Sequence, residues 1–380
     1  MTDGSPSTTR TLVVTNDFPP RQGGIQTYVS ALVRRQPADS VVVFAPAWDG
    51  AAAYDSAQAF PIVRHRTSLI LPTSEIRRRV GALAREHDCN RAWFGAAAPL
   101  ALLAPVLRDN GIERMIASTH GHETGWVRLP GARQLLHRLA AEVDVVTYIT
   151  EFTRGVLEPA LADVTKLAHL PPGVDVSTFH PAVTGAPVRR RLGLDAATPV
   201  VACVSRLVRR KGQDVLIRAW PQVRSRFPDA ALLIVGSGPD ANRLQTLVER
   251  VGAQGVHFVG GVSWPDLPSY YAACDVFVMP CRTRRAGLDV EGLGMVYLEA
   301  AACARPVIAG TSGGAPEAVR EGETGLVVDD PRSPPSVAAS ILELLEDRDR
   351  ASAMGLAGRA WVEAQWTWDS LAARWRSLLA

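Results

Sequence analysis

Glu291 and Glu299 stand eight residues apart, separated by Gly-Leu-Gly-Met-Val-Tyr-Leu. Glycines followed by an apolar run read as a loop that becomes a helix. A helix start presents unpaired backbone N–H groups and the positive end of the macrodipole, which suits a phosphate. A carboxylate on either side can accept hydrogen bonds from sugar hydroxyls. A helix turns every ~3.6 residues, so two carboxylates at this spacing cannot meet at one atom when most of the spacer is helical. They must serve different parts of one elongated ligand, one the group being transferred and the other a ribose. The chemistry indicated is that of a nucleotide sugar, with an exposed loop acid and an ordinary helix glutamate as the plain alternative.

Groups suited to a diphosphate occur in two other places. In Ser205-Arg-Leu-Val-Arg-Arg-Lys-Gly212, Arg206 and Lys211 straddle a turn, one a fork of donors and the other a compact charge. Lys211 is one of only two lysines, with Lys166, in a chain whose other basic residues are arginines, which hints at a need for the ammonium itself. A solvated basic turn is the competing reading. In Asn16-Asp-Phe-Pro-Pro-Arg-Gln-Gly-Gly-Ile25, Gly23 and Gly24 open a helix and would let a diphosphate approach the backbone, although a glycine pair also suits a plain turn.

The histidine of Thr119-His-Gly-His-Glu123 could bond a sugar hydroxyl or a phosphate oxygen. A metal site is not expected there, because His120, His122 and Glu123 are neighbours in an extended loop and do not converge on one ion. Gly236-Ser-Gly-Pro-Asp240 imitates a dinucleotide fingerprint. It lacks the acid expected at the end of the next strand, where the chain reads Gly255-Val-His-Phe-Val259, so it reads as a tight turn. Thr73-Ser-Glu-Ile-Arg-Arg-Arg-Val80, with Arg64 and Arg66 before it, is a solvated arginine face or a basic helix for an anionic membrane; the first reading is preferred.

These residues need a scaffold. The 380 residues are about 2.5 typical domain lengths, and 47% hydrophobic with 21% charged residues suits two sizeable cores. A net charge of +3 is too small to argue for nucleic acid. Five scattered cysteines without a CxxC pair fit a reducing compartment. Residues 1–9 lack the apolar core of a signal peptide, and the longest apolar run, 96–107, falls short of the ~20 residues that span a bilayer.

Short β-rich runs alternate with helical patterns throughout. Strands are expected at 12–15, 41–45, 92–94, 115–119 and 145–150, and again at 200–204, 231–235, 256–259, 276–280, 306–309 and 326–328. Helices are expected at 25–35, 74–87, 99–110 and 130–141, and a late amphipathic segment at 361–379. This is α/β, with two facing Rossmann-like domains, an interdomain cleft and a C-terminal helix crossing back to the first. The prolines and glycine of 171–187 suggest the boundary. The domains expected are 1–183 and 184–360, with 361–380 as the returning helix. Open parallel sheets bind ligands beyond the carboxyl ends of their strands, which is where the distinctive residues lie.

Taken together, the glycine loop after strand one, the Thr-His-Gly histidine, Pro172-Gly-Val-Asp175, Ser-Arg-Leu…Lys-Gly and the glutamate pair followed by Ala-Ala resemble the retaining GT-B glycosyltransferases of family GT4, over nearly the whole chain. Thr119–Glu123 and the loop 281–294 are most similar to the mannosyltransferases of that family that act on phosphatidylinositol monomannoside. The resemblance implies GDP-mannose as donor, the monomannoside lipid as acceptor, and an α-(1→6) linkage formed with retained configuration. It implies a protein peripheral on the cytoplasmic face of the plasma membrane, without nucleic acid, cofactor or structural metal.

The resemblance also assigns roles. Gly23 and Gly24 would contact the β-phosphate, and Arg206 and Lys211 would bind the diphosphate. Glu299 would hold the ribose, and Glu291 the 3- and 4-hydroxyls of mannose. Amides at Gly294, Met295 and Val296 would approach phosphate or sugar, and Val262 would flank the base. His120 would touch the mannose near its 6-hydroxyl and the β-phosphate, and Asp17 the acceptor inositol. His120, Glu291, Arg206 and Lys211 form the expected catalytic set. The motifs leave open another GT4 transferase, using a diacylglycerol-linked glycolipid or a UDP-sugar, and a noncatalytic nucleotide-sugar-binding protein.

Overall fold

The computed structural model describes residues 9–121 and 123–380. His122 and the N-terminal residues through 8, on which the signal-peptide expectation largely rests, lie outside the described residues. The chain forms two units, Met1–Pro172 with Trp368–Ala380, and Gly173–Thr367.

The first unit carries β1 (Arg10–Val14), β2 (Val41–Pro46), β3 (Ile62–His65), β4 (Cys89–Phe94), β5 (Arg114–Ser118), β6 (Val145–Tyr148) and β7 (Lys166–His169). They form one parallel sheet in the order β3-β2-β1-β4-β5-β6-β7. Its residues alternate between two cores. Leu12, Val14, Val42, Phe44, Ala92, Phe94, Met115 and Ala117 face one; Val13, Val41, Val43, Trp93 and Ile116 face the other. That is the period-two pattern of a sheet covered on both faces. The edge strands β3 and β7 read Ile-Val-Arg-His and Lys-Leu-Ala-His and are less buried.

The second unit carries β8 (Val200–Val204), β9 (Ala231–Val235), β10 (Val256–Gly260), β11 (Val276–Met279), β12 (Val307–Ala309) and β13 (Gly325–Val327). Their order is β10-β9-β8-β11-β12-β13, again all parallel. In each sheet the winding reverses beside the first strand, between β1 and β4 and between β8 and β11. Such a reversal opens a crevice at the strands' carboxyl ends.

The contact boundary precedes the expected one, because 173–183 is bound to the second unit. Val174 N–H donates to Trp366 O at 2.7 Å, Phe179 packs edge-on against Tyr271, and Arg359 donates to the carbonyls of Val176 and Phe179. The segment 361–379 is not one helix. Trp361 and Trp366 end in the second core, the helix Arg348–Gln365 stops, and a new helix begins at Trp368. That last helix buries Trp368, Leu371 and Trp375 in the first unit, where Trp375 meets Trp93 at 5.2 Å between ring centres. The expected helix at 99–110 is a 3-10 turn, Leu100–Leu103, followed by the short α-helix Ala104–Arg108.

Candidate active site

The expected site residues fall on both units. Asp17, Gly23, Gly24 and His120 belong to the first; Arg206, Lys211, Val262, Glu291, Gly294, Met295, Val296 and Glu299 belong to the second. Nearly all follow the carboxyl end of a strand.

In the second unit the turn after β8 and the loop after β11 are pinned together. Gly212 has φ 81°, and a Cβ there would lie 2.0 Å from Pro280 O, so only glycine brings Lys211 this close to the end of β11. Arg282 N–H donates to Arg210 O at 2.8 Å, and the Arg282 guanidinium grips both oxygens of Asp214 at 2.8 and 2.9 Å. Burial works to raise the Asp214 carboxyl, but Arg282 overrides it and holds the group below its ordinary value. Lys211 Nζ then reaches Glu291 Oε2 at 2.7 Å, and both side chains are about nine-tenths buried. Arg210 Nε approaches the same oxygen at 3.4 Å.

Glu291 is also fixed through its backbone. Its N–H donates to Ser312 Oγ at 3.1 Å, and its carbonyl accepts from Gly314 N–H at 3.1 Å. A Cβ on Gly313 would strike that carbonyl at 2.2 Å, so the loop after β12 can close over Glu291 only as glycine. Arg206 is exposed, and its guanidinium has no acid partner among the described residues. Its carbonyl accepts from Gln213 Nε2 at 3.0 Å.

The expected helix start is Met295–Ala302, preceded by Gly294 at φ 85°. A side chain at Gly294 would collide with the Tyr297 ring at 2.5 Å. Tyr297 is buried and donates to Met279 O at 2.6 Å, so it fastens the helix start to the end of β11. Glu299 lies in the second turn and accepts from the Tyr271 hydroxyl at 2.6 Å. Loss of solvent raises the Glu299 carboxyl above its ordinary value, and the Tyr271 hydrogen bond offsets part of that rise. The two glutamates therefore have separate partners. Glu291 faces cations and Glu299 faces a phenol. Val262 is half-buried just beyond β10. Gly236 and Gly238 lack a Cβ because Ser205 O and Leu207 O lie where one would go, in keeping with a tight turn.

In the first unit the ends of β1, β4 and β5 are linked. His120 follows β5 and its Nε2–H donates to Gly95 O at 2.6 Å; a carbonyl cannot donate, so the proton sits on Nε2. The ring also meets Tyr28 edge-on at 5.1 Å. Gly95 packs against Thr15, whose hydroxyl accepts from Asp17 N–H at 2.9 Å. The Asp17 carboxylate accepts from Gln26 Nε2 at 2.8 Å. A Cβ on Gly23 would lie 2.2 Å from Gln26 Oε1, whereas nothing lies within 4 Å of one on Gly24. Gly23 thus makes room for the residue that holds Asp17, and Gly24 leaves the start of helix Gly24–Val33 open.

Sequence reasoning did not single out Arg210, Tyr271, Ser312 or Gln26, and it placed Arg64 with a basic surface face. Arg210 sits inside a motif already singled out. Tyr271 and Ser312 bond residues 28 and 21 positions away, and the acids held by Gln26 and Arg64 lie nine positions away across a turn of the fold, so residue type alone did not mark them. Arg64 is neither solvated nor membrane-facing. Its side chain is 11% exposed, it pairs with Asp55 at 2.7 Å, and it donates to Pro46 O and Pro19 O at 2.9 and 2.6 Å.

Residues 187–361 match the family model described as glycosyl transferases group 1, and residues 22–178 match glycosyltransferase family 4. A protein of Mycobacterium tuberculosis, named GDP-mannose-dependent alpha-(1-6)-phosphatidylinositol monomannoside mannosyltransferase, is 52% identical over 96% of each chain. The chain belongs to glycosyltransferase family 4. A second member, from Corynebacterium glutamicum, is 49% identical over 97% of each chain; its name specifies the monoacylated monomannoside as acceptor. Among solved structures, Anabaena HepE in complex with UDP superposes with a TM-score of 0.82 at 20% identity, covering 98% of this family 4 chain and 99% of its own. That likeness supports the fold alone, which is GT-B.

Proposed function

We propose that this family 4 transferase moves mannose from GDP-mannose to phosphatidylinositol monomannoside, forming an α-(1→6) linkage with retained configuration. The observation that carries the reading is the buried Lys211–Glu291 pair beside the helix start at Gly294. A nucleotide sugar places sugar hydroxyls and phosphate oxygens next to each other. A carboxylate and an ammonium held 2.7 Å apart match that adjacency. The near full-length likeness to proteins named for this reaction supports the choice of donor and acceptor.

The roles follow from chemistry. Lys211 and Arg206 would neutralise the diphosphate as it departs, aided by amides at Gly294, Met295 and Val296, and Gly23 and Gly24 would contact the β-phosphate. Glu291 would accept from the mannose 3- and 4-hydroxyls, and Glu299 from the ribose; Val262 would flank the base. The bond from the anomeric carbon to phosphate breaks and the bond to the acceptor oxygen forms. The acceptor proton passes to an oxygen of the leaving diphosphate on the same face. His120 would orient the mannose and Asp17 the acceptor. Electrostatics and positioning account for this scheme without a metal or cofactor.

Among the described residues no helix is long and apolar enough to cross a membrane. A peripheral position on the cytoplasmic face suits a lipid acceptor. The exposed Leu69 and Leu71, flanked by exposed Arg66 and Arg78, support contact with an anionic leaflet. Incubation with GDP-mannose and, in parallel, the monomannoside or a diacylglycerol-linked glycolipid tests the reading. Mannose should enter the first lipid only. Transfer to the second, or from UDP-sugars, would replace it.

A further inference from the structure

A separate cavity lies at the carboxyl ends of β1 and β2. Pro20, Arg21, Ala47, Trp48 and Asp49 line a cavity of about 450 Å³, the size of a small ligand. The Arg21 guanidinium lies 4.9 Å from the centre of the Trp48 ring. Arg21 is exposed and forms no ion pair among the described residues, though Asp49 lines the same cavity, so the indole face orients a cation that no carboxylate holds. The Trp48 indole N–H is shielded and has no acceptor among the described residues.

The two loops that carry this pair are held together from below. Arg64 donates to Pro19 O, one residue before the Pro20–Arg21 step, and to Pro46 O, two residues before Trp48. Asp55 grips the same guanidinium with both carboxylate oxygens, at 3.3 and 3.0 Å from Nε. Phe18 completes the support, since the Arg64 guanidinium lies 5.5 Å from its ring centre. The two loops lining the cavity are therefore held in place, and one of them also carries Asp17.

We propose that Arg21 and Trp48 form the acceptor's headgroup subsite. Arg21 binds the phosphodiester of a glycophospholipid, and Trp48 receives the apolar face of its polyol or sugar ring. An unpaired arginine is suited to a phosphate, and an aromatic face to the C–H surface of a ring. The inference rests on the reading of the protein as a lipid glycosyltransferase. A phosphate group could also come from the donor, and the test separates the two sources.

Transfer is measured with the full-length protein while acceptor and GDP-mannose are varied in turn. Arg21→Gln, an exposed substitution, should raise the acceptor KM about ten-fold or more, leaving kcat and the KM for GDP-mannose within about two-fold. Trp48→Phe should act in the same direction but less than Trp48→Ala. An unchanged acceptor KM in Arg21→Gln overturns the proposal, and so does an equal rise in the KM for GDP-mannose. Direct binding keeps the subsite testable if wild-type protein transfers nothing. Calorimetric titration of the GDP-loaded protein with sn-glycerophosphoinositol should saturate for wild type and not for Arg21→Gln. No saturable binding to wild type, or equal binding to both, overturns the subsite; absent transfer with intact binding overturns only the reaction.

Discussion

The Lys211 ammonium lies 2.7 Å from Glu291 Oε2 in a nearly solvent-free position. Each group was expected to face a different part of the donor, the diphosphate and the mannose. Their contact holds the ammonium and the carboxylate together, so the proposed donor would have to meet both where its sugar joins its diphosphate. It also means that neither substitution can be interpreted alone. Lys211→Met should lower kcat by about 100-fold or more, the scale seen when one preorganised charge is lost from a departing anion. A double-mutant cycle with Glu291→Gln should give a coupling of at least about 1 kcal/mol. Additive losses would show that the pair does not act as a unit.

Glu299→Ala should weaken GDP binding by about 1.5–3 kcal/mol, the worth of hydrogen bonds to a charged acceptor. Calorimetry measures this directly. Loss of mannose transfer with undiminished GDP affinity would move Glu299 away from the ribose.

The raised carboxyl of Glu299 has two pH consequences. Its folded value lies above the ordinary 4.5, so between the two values the folded protein keeps a proton that the unfolded chain has released. Stability from this group is full below 4.5 and falls as pH rises through the folded value. GDP affinity should run the other way, falling as pH drops through that value and the acceptor becomes a carboxylic acid. Tyr271→Phe removes the hydrogen bond that holds the carboxyl down, so the affinity limb should move to higher pH. Titrations of wild type and Tyr271→Phe from pH 4.5 upward read that shift, and identical limbs would contradict it.

How much of this was legible in sequence depended on range. Strands such as Val200–Val204 and Ala231–Val235 lie where their apolar runs place them, because both faces are covered. The edge strands β3 and β7 went unseen because their polar residues break the pattern. Glu291, Lys211 and the helix start were readable from residue type and local spacing. Tyr271 under Glu299, Ser312 behind Glu291 and Gln26 beside Asp17 were not, since their bonds depend on the folded path. Arg64 was misread for the same reason. Its neighbours in sequence are basic, but its partners are Asp55 and two loop carbonyls.

Arg64→Met should cost about 3 kcal/mol of stability, because it leaves Asp55 without its cation and releases two carbonyls. Chemical denaturation measures it. A change below about 0.5 kcal/mol would mean that the two loops hold their positions without Arg64.

His120→Ala should reduce kcat far more than donor affinity, because the ring is braced on Gly95 O and Tyr28 in the unit that does not carry the Lys211–Glu291 pair. Equal losses in both would assign it to ground-state donor binding.

The central claim is tested most directly by isolating the lipid formed from labelled GDP-mannose and phosphatidylinositol monomannoside and determining its new glycosidic bond by nuclear magnetic resonance. A dimannoside with an α-(1→6) linkage is the result expected. Labelled donor that binds while no dimannoside forms, or a product with β configuration, would contradict the account.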